Sequence, residues 1–173
     1  ADGVPAPTDF VFVDRERSRE LPVRVYLPDH PAAVGPAPVV LFSHGLGGSR
    51  QGNPYLRSHW AIRGYVVVFL QHPGRDNPVW ESVPRAQRRQ VLRQAASAQS
   101  SVERVGDVVA VLDQLERWNT DPAHPLHARL DLDRIGMAGH SFGAITAQAV
   151  SGQSIGNQPS FTDPRIDAAV LMS

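Results

Sequence analysis

Four short apolar runs limit what this chain can fold into. "VVLF" spans Val39 to Phe42 and "YVVVFL" spans Tyr65 to Leu70. "RIGMAG" spans Arg134 to Gly139, and "DAAVLM" spans Asp167 to Met172. Runs of this kind suit strands buried on both faces, as in a parallel sheet covered by helices. The first three lead straight into polar turns, Ser-His-Gly, Gln-His-Pro-Gly and His-Ser. In open α/β sheets, ligands bind at these carboxyl ends.

Helical stretches lie between the runs. Asn53 to Arg63 reads as one, and Pro84 to Gln99 as another, with Ser82 available as a cap. The clearest is "SSVERVGDVVAVLDQLERW", where Ser100 and Glu103 match the capping-box spacing. Val102, Val105, Val109, Leu112 and Leu115 then form one apolar stripe at helical period. "FGAITAQAV" reads as a helix whose Gly143, Ala144 and Ala147 permit close packing. Upstream, "FVFVDRERSRELPVRVYLP" gives two extended segments around a charged turn. Val23, Val25 and Leu27 alternate there with Arg24 and Tyr26, which predicts a hairpin with one buried and one solvated face. Strands alternating with helices, without a repeat or a second domain, argue for one α/β unit.

Composition closes off several chemistries. A chain of 173 residues, 42% hydrophobic, can bury a real core. Its net charge of +0 sets up no field for nucleic acid or anionic membrane, and no apolar run reaches the length of a membrane span. The 17 basic residues are all arginine, which excludes a lysine mechanism and reads as GC-rich coding. With no cysteine there is no disulfide, thiolate metal site or cysteine nucleophile. In "HPLH", Pro125 prevents His124 and His127 from forming a helical metal pair, so no metal site is expected. Arg85, Arg88, Arg89 and Arg93 read as a solvated helix face. The start at Ala1, without methionine, leans toward export with a leader removed.

The chemistry concentrates in two glycine motifs. Gly139-x-Ser141-x-Gly143 joins "RIGMAG" to "FGAITAQAV", the strand–turn–helix context of a nucleophile elbow. Glycines two before and two after the serine keep side chains out of a sharp turn. The helix beyond supplies N–H groups that favour an oxyanion. "HGLGG", His44 to Gly48, follows an earlier buried strand. In such a fold that loop supplies one oxyanion-hole N–H and the residue after the nucleophile the other, here Leu46 and Phe142. A phosphate loop is disfavoured because the Gly-Lys-Ser/Thr ending is missing.

"LFSHGLGGSR" with "GHSFGA" resembles the platelet-activating-factor acetylhydrolase family and its bacterial dienelactone-hydrolase-like relatives. "HWAIRGYVVVFLQHPGRDNPVW" resembles the bacterial branch, and the likeness covers most of the chain. The resemblance implies an α/β-hydrolase fold: a mostly parallel sheet, helices on both faces and an N-terminal antiparallel hairpin. It implies no cofactor and hydrolysis of carboxylic esters through a serine triad. Ser141 would be the nucleophile, with Leu46 and Phe142 giving the oxyanion N–H groups. Candidate substrates are short-acyl esters of phospholipid acetyl, lipid or polyester type. The dienelactone name does not carry over as a substrate, because typical members use a cysteine.

The triad order in this fold is nucleophile, acid, histidine. After Ser141 come Asp163 and Asp167 and no histidine; all seven histidines precede it. Residues 1–173 are therefore expected to be the N-terminal part of one domain, completed by a C-terminal part or second polypeptide that carries acid and histidine. Three in-chain bases compete. His140 is expected to pack beneath the loop, the resemblance makes His44 structural, and His72 ends a strand within reach of the cleft. Trp80 and His72 are the candidate substrate-binding side chains. Trp60 and Trp118 are expected in the core. The rival class is a non-catalytic binding module that kept the elbow and lost the triad.

Overall fold

The computed structural model describes residues 6–28, 35–74, 83–84, 87, 97–153 and 160–173. Six strands form one sheet: β1 (Thr8–Asp14), β2 (Arg19–Tyr26), β3 (Ala37–Ser43), β4 (Val66–Leu70), β5 (Leu130–His140) and β6 (Ile166–Met172). Their spatial order is β1-β2-β4-β3-β5-β6. β1 and β2 make the predicted hairpin, and β2 runs antiparallel to β4. The remaining pairs are parallel. Parallel neighbours need a crossover, and among the described residues three helices lie in these crossovers: α1 (Pro54–Ala61), α2 (Ala98–Thr120) and α3 (Phe142–Val150).

The apolar runs are continuous because both faces of the sheet are covered. Val39, Leu41, Val66, Val68 and Met137 face α2 and α3, which contribute Val108, Leu112, Leu115, Ala147 and Val150. Val40, Phe42, Val67 and Phe69 face α1, which contributes Leu56, Ala61 and the partly buried Trp60. Each fully buried large apolar side chain stabilises by about 1.5–3 kcal/mol. Trp118 joins the first cluster, as expected of a core tryptophan. Among the described residues no helix is long and apolar enough to cross a membrane.

Four expectations shift. Tyr26, placed on the solvated face of the hairpin, is buried because Arg57 from α1 reaches over it and donates to its hydroxyl at 2.9 Å. α2 begins at Ala98, capped by Ser97, whose Oγ accepts from Ser100 N–H at 3.3 Å. Ser97 offers the capping chemistry earlier, so Ser100 lies inside the helix and the Ser100–Glu103 box is not used. The apolar stripe starts a turn later than predicted: Val102 is 50% exposed, while Val108 and Val111 are buried. β6 is a strand as predicted, but it is the outer one, with Val170 51% and Leu171 46% exposed. The predicted helix over 84–99 lies almost wholly outside the described residues.

α2 buries two charged side chains, Arg104 and Asp107. The Asp107 carboxylate accepts from Arg17 Nη1 at 2.9 Å and Arg19 Nε at 2.8 Å through Oδ1. Its Oδ2 meets His72 Nδ1 at 2.9 Å, and His72 Nε2 meets Ser43 Oγ at 2.9 Å. This ties the hairpin turn, the ends of β3 and β4, and α2 together. Burial would raise the Asp107 carboxyl, but the His72 bond and the Arg19 charge outweigh it and hold it below the usual carboxylate range. Burial pushes His72 down to about 4, against the opposing pull of Asp107. Neutral His72 then donates from Nδ1 to the carboxylate and accepts from Ser43 at Nε2.

The tightest packing is where α3 leaves β5. A Cβ on Gly143 would collide with the backbone carbonyl of Ser43, and one on Gly139 with the carbonyl of Gly143. Backbone at these places cannot yield, so glycine lets α3 sit against the end of β3.

Two measurements test this account. Gly143→Ala should destabilise by at least about 3 kcal/mol in urea unfolding. Gly136→Ala, whose Cβ would meet Val40 Cγ2 at 3.8 Å and the carbonyl oxygens of Val39 and Ala168 at 3.9 Å, all ordinary contact distances, should be neutral or stabilise by up to about 1 kcal/mol. For the charges, the unfolded chain binds more protons than the folded one between the ordinary 6.5 of His72 and its folded value of about 4. Stability should therefore be full above pH 6.5 and decline as pH falls toward 4, with a slope of up to about 1.4 kcal/mol per pH unit from this group. His72→Gln should flatten that slope; an unchanged slope would assign it to other groups.

Candidate active site

Ser141 sits between β5 and α3 with φ 55° and ψ −119°. A non-glycine residue at positive φ is costly, about 1–3 kcal/mol, and persists only where its surroundings hold it. Here they do so on both sides. Ser141 N–H donates to Met172 O at the end of β6 at 2.8 Å, and Ser141 O accepts from Ala144 N–H at 2.9 Å. The serine is exposed. Phe142 is the first residue of α3, so its N–H has no intrahelical acceptor. Its ring is buried.

The loop after β3 lies against this turn. A Cβ on Gly45 would stand 3.3 Å from Ser141 Cβ. His44 is buried, with Nδ1 2.6 Å from Gly45 O, while its Nε2 accepts from His72 N–H at 3.2 Å. Both contacts are met only by a neutral ring protonated at Nδ1. Burial, with the neighbouring His72 charge, pushes His44 down to about 3, which keeps that state. Gly45 O also accepts from Gly48 N–H at 3.2 Å, closing the turn. Arg104 from α2 donates to His44 O at 2.5 Å and to Gly45 O at 3.4 Å.

Leu46, His140 and Ser141 line one open depression of about 330 Å³, with Gly45, Gly48 and Asn53 around it. Two predicted site residues, Ser141 and Leu46, are thus brought together, and Phe142 follows Ser141 in the chain. His72 is not with them. It was expected to reach the cleft and bind substrate, but it is fully buried and both ring nitrogens are engaged, by Ser43 and Asp107. Trp80 lies outside the described residues. His140, expected beneath the loop, is exposed, since it ends β5 beside the outer strand.

Among the described residues, no imidazole hydrogen-bonds Ser141 Oγ. Ser43, His72 and Asp107 have the connectivity of a hydrolytic triad, yet all three are 0% exposed and no substrate can reach them. Sequence reasoning missed this cluster. Its only signal was Arg104 and Asp107 flanking the apolar stripe of α2. The two aspartates after Ser141 have structural partners. Asp163 is paired with Arg165 at 2.7 Å, and Asp167 accepts from Ile135 N–H at 2.9 Å, roughly 17 Å down the strand from the elbow. Among the described residues no group of histidines and carboxylates could hold a metal ion.

No known family pattern matches the chain, and no curated protein sequence does. Solved structures do. A protein assigned as a dipeptidyl aminopeptidase IV from Bacteroides ovatus matches 86% of this chain with TM-score 0.61 and 18% identity. A ferulic acid esterase from Streptomyces cinnamoneus matches 82% with TM-score 0.55 and 22% identity. A Pyrococcus horikoshii acylaminoacyl peptidase matches 96% with TM-score 0.59 and 21% identity. The chain spans 19%, 53% and 22% of the lengths of those three proteins, respectively. The strand order, the parallel sheet with its antiparallel hairpin and these likenesses agree: the chain has the α/β-hydrolase fold.

Proposed function

We propose that this chain carries the nucleophile half of a serine carboxylester hydrolase. The observation behind this reading is Ser141 itself: an exposed serine at positive φ, on a strand–turn–helix, against the glycine loop of His44 to Gly48. Glycine would adopt this turn without that cost, whereas a nucleophile needs a hydroxyl lifted clear of the sheet. The narrower kinship with acetylhydrolases and dienelactone-hydrolase-like proteins rests on the sequence motifs alone.

In the proposed reaction Ser141 Oγ attacks the ester carbonyl and gives its proton to a histidine. Leu46 and Phe142 N–H hold the oxyanion. The intermediate collapses, the alcohol leaves with that proton, and water then releases the acyl group from Ser141. Short-acyl esters suit the small depression, and no cofactor enters any step. The histidine and its acid come from residues outside these 173. Two features support a completing part: the exposed apolar edge of β6, and a groove of about 580 Å³ beside it. That groove is lined by Val40, Trp60, Ala138, Ala168 and Val170. A non-catalytic binding module is the second reading, favoured by the lack of an imidazole at Ser141 Oγ among the described residues.

The completed protein should be labelled by a fluorophosphonate at Ser141, and Ser141→Ala should abolish labelling and lower kcat by roughly 10⁶. No label would favour the binding module, and a label at Ser43 would move the nucleophile to that serine. Expressed alone, these 173 residues should not turn over a p-nitrophenyl ester; robust turnover would mean that the base lies within them.

A further inference from the structure

We propose that Arg104 is a positioning residue that sets both donors of the oxyanion hole. The inference rests on the serine-hydrolase reading above and adds a residue with no contact to substrate. Arg104 is 0% exposed, on a helix whose buried face is mostly valine and leucine apart from Ser100, Asp107 and Trp118. Its Nη1 donates to His44 O at 2.5 Å and its Nη2 to Gly45 O at 3.4 Å. Its guanidinium carbon stands 4.9 Å from the centre of the Phe142 ring. One planar cation therefore touches the two segments that carry Leu46 N–H and Phe142 N–H.

The geometry of the peptide unit makes the contact at Gly45 O consequential. Gly45 C=O and Leu46 N–H belong to one plane, and in a trans peptide they point in opposite directions. Among the described residues there is no cis bond. Gly45 O is held by His44 Nδ1 at 2.6 Å, Gly48 N–H at 3.2 Å and Arg104 Nη2 at 3.4 Å together, and holding it there aims Leu46 N–H the other way. A positive charge at the carbonyl end also polarises the amide and strengthens its N–H as a donor. On the second segment, the guanidinium over the ring face fixes the Phe142 side chain at the start of α3.

A buried cation is a costly way to fill space, and an apolar side chain would pack this helix at less expense. Arginine is also specific to the task. Its fork bridges two carbonyl oxygens at once and stacks on an aromatic face, which the point charge of lysine cannot do.

The test uses the completed protein with p-nitrophenyl acetate, normalising each variant to the sites a fluorophosphonate can titrate. Arg104→Met should lower kcat per titrated site by about 10²-fold, comparable to losing an oxyanion donor. Its KM should stay within about threefold, since ground-state binding does not use the hole. Inhibition by phenylboronic acid, which forms a tetrahedral adduct on the serine, should weaken in step with kcat. Arg104→Lys should recover part of the loss. Per-site kcat within twofold of wild type in both variants would overturn the proposal, as would KM and boronate inhibition weakening equally. Should neither variant fold, a crystal structure of the wild-type boronate adduct decides. The proposal requires Leu46 N–H on the boronate oxygen and Gly45 O still on Arg104; an oxygen bound elsewhere overturns it. Ser141→Ala separates the two levels. If it retains turnover, the serine-hydrolase reading fails and this inference falls with it. If it is inactive while the Arg104 variants match wild type, the positioning role alone fails.

Discussion

The carboxylate of Asp107 is charged, fully buried and shared by four elements. A buried charge is tolerated only when it is paired and its lone pairs are used. Arg17 and Arg19 bring the turn of the hairpin to it, and His72 brings the end of β4. Ser43, at the end of β3, closes the chain of contacts through His72. These are the strand ends from which the loop over Ser141 departs. The hydrophobic layers bring strands and helices together without fixing how the ends align, because apolar contact is non-directional. The hydrogen-bonded cluster supplies the direction.

The same cluster shows why connectivity alone does not identify a catalytic site. Serine, histidine and aspartate stand in hydrogen-bonded sequence at Ser43, His72 and Asp107, but burial makes them a structural tie. Ser141 has the opposite profile. It is exposed and strained, with its backbone held by Met172 and Ala144. Access and backbone conformation separate the two serines, and residue type does not.

Among the described residues, α2 and α3 overlie one face of the sheet from the hairpin to β5, while on the other face α1 packs on β4 and β3 and a groove runs toward β6. The groove follows the start and middle of β5 and β6, while the far end of β6, at Met172, supports Ser141. Only a part that follows β6 from the groove to Met172 would reach the elbow, where the proposed reaction needs an imidazole.

Much of this was legible in the chain order. Period-two alternation gave the hairpin, all-apolar runs gave the inner strands, and Gly139 with Gly143 gave the elbow, because each pattern reflects a local rule of backbone geometry and burial. The boundary of α2 was misread because Ser97 and Ser100 offer equivalent capping chemistry, and tertiary burial of Ser100 selected the earlier one. His72 was placed at the cleft because its strand ends there. Its side chain turns inward to a partner 35 residues away that no local pattern marks. By itself, the sequence determined the layering of the fold and the serine at its turn, since both follow from periodicity and from what glycine alone permits. Only the tertiary structure decided which histidines are buried and what Arg104 and Asp107 hold in place. Those outcomes depend on long-range pairing of charges away from water, and a linear pattern does not encode distance.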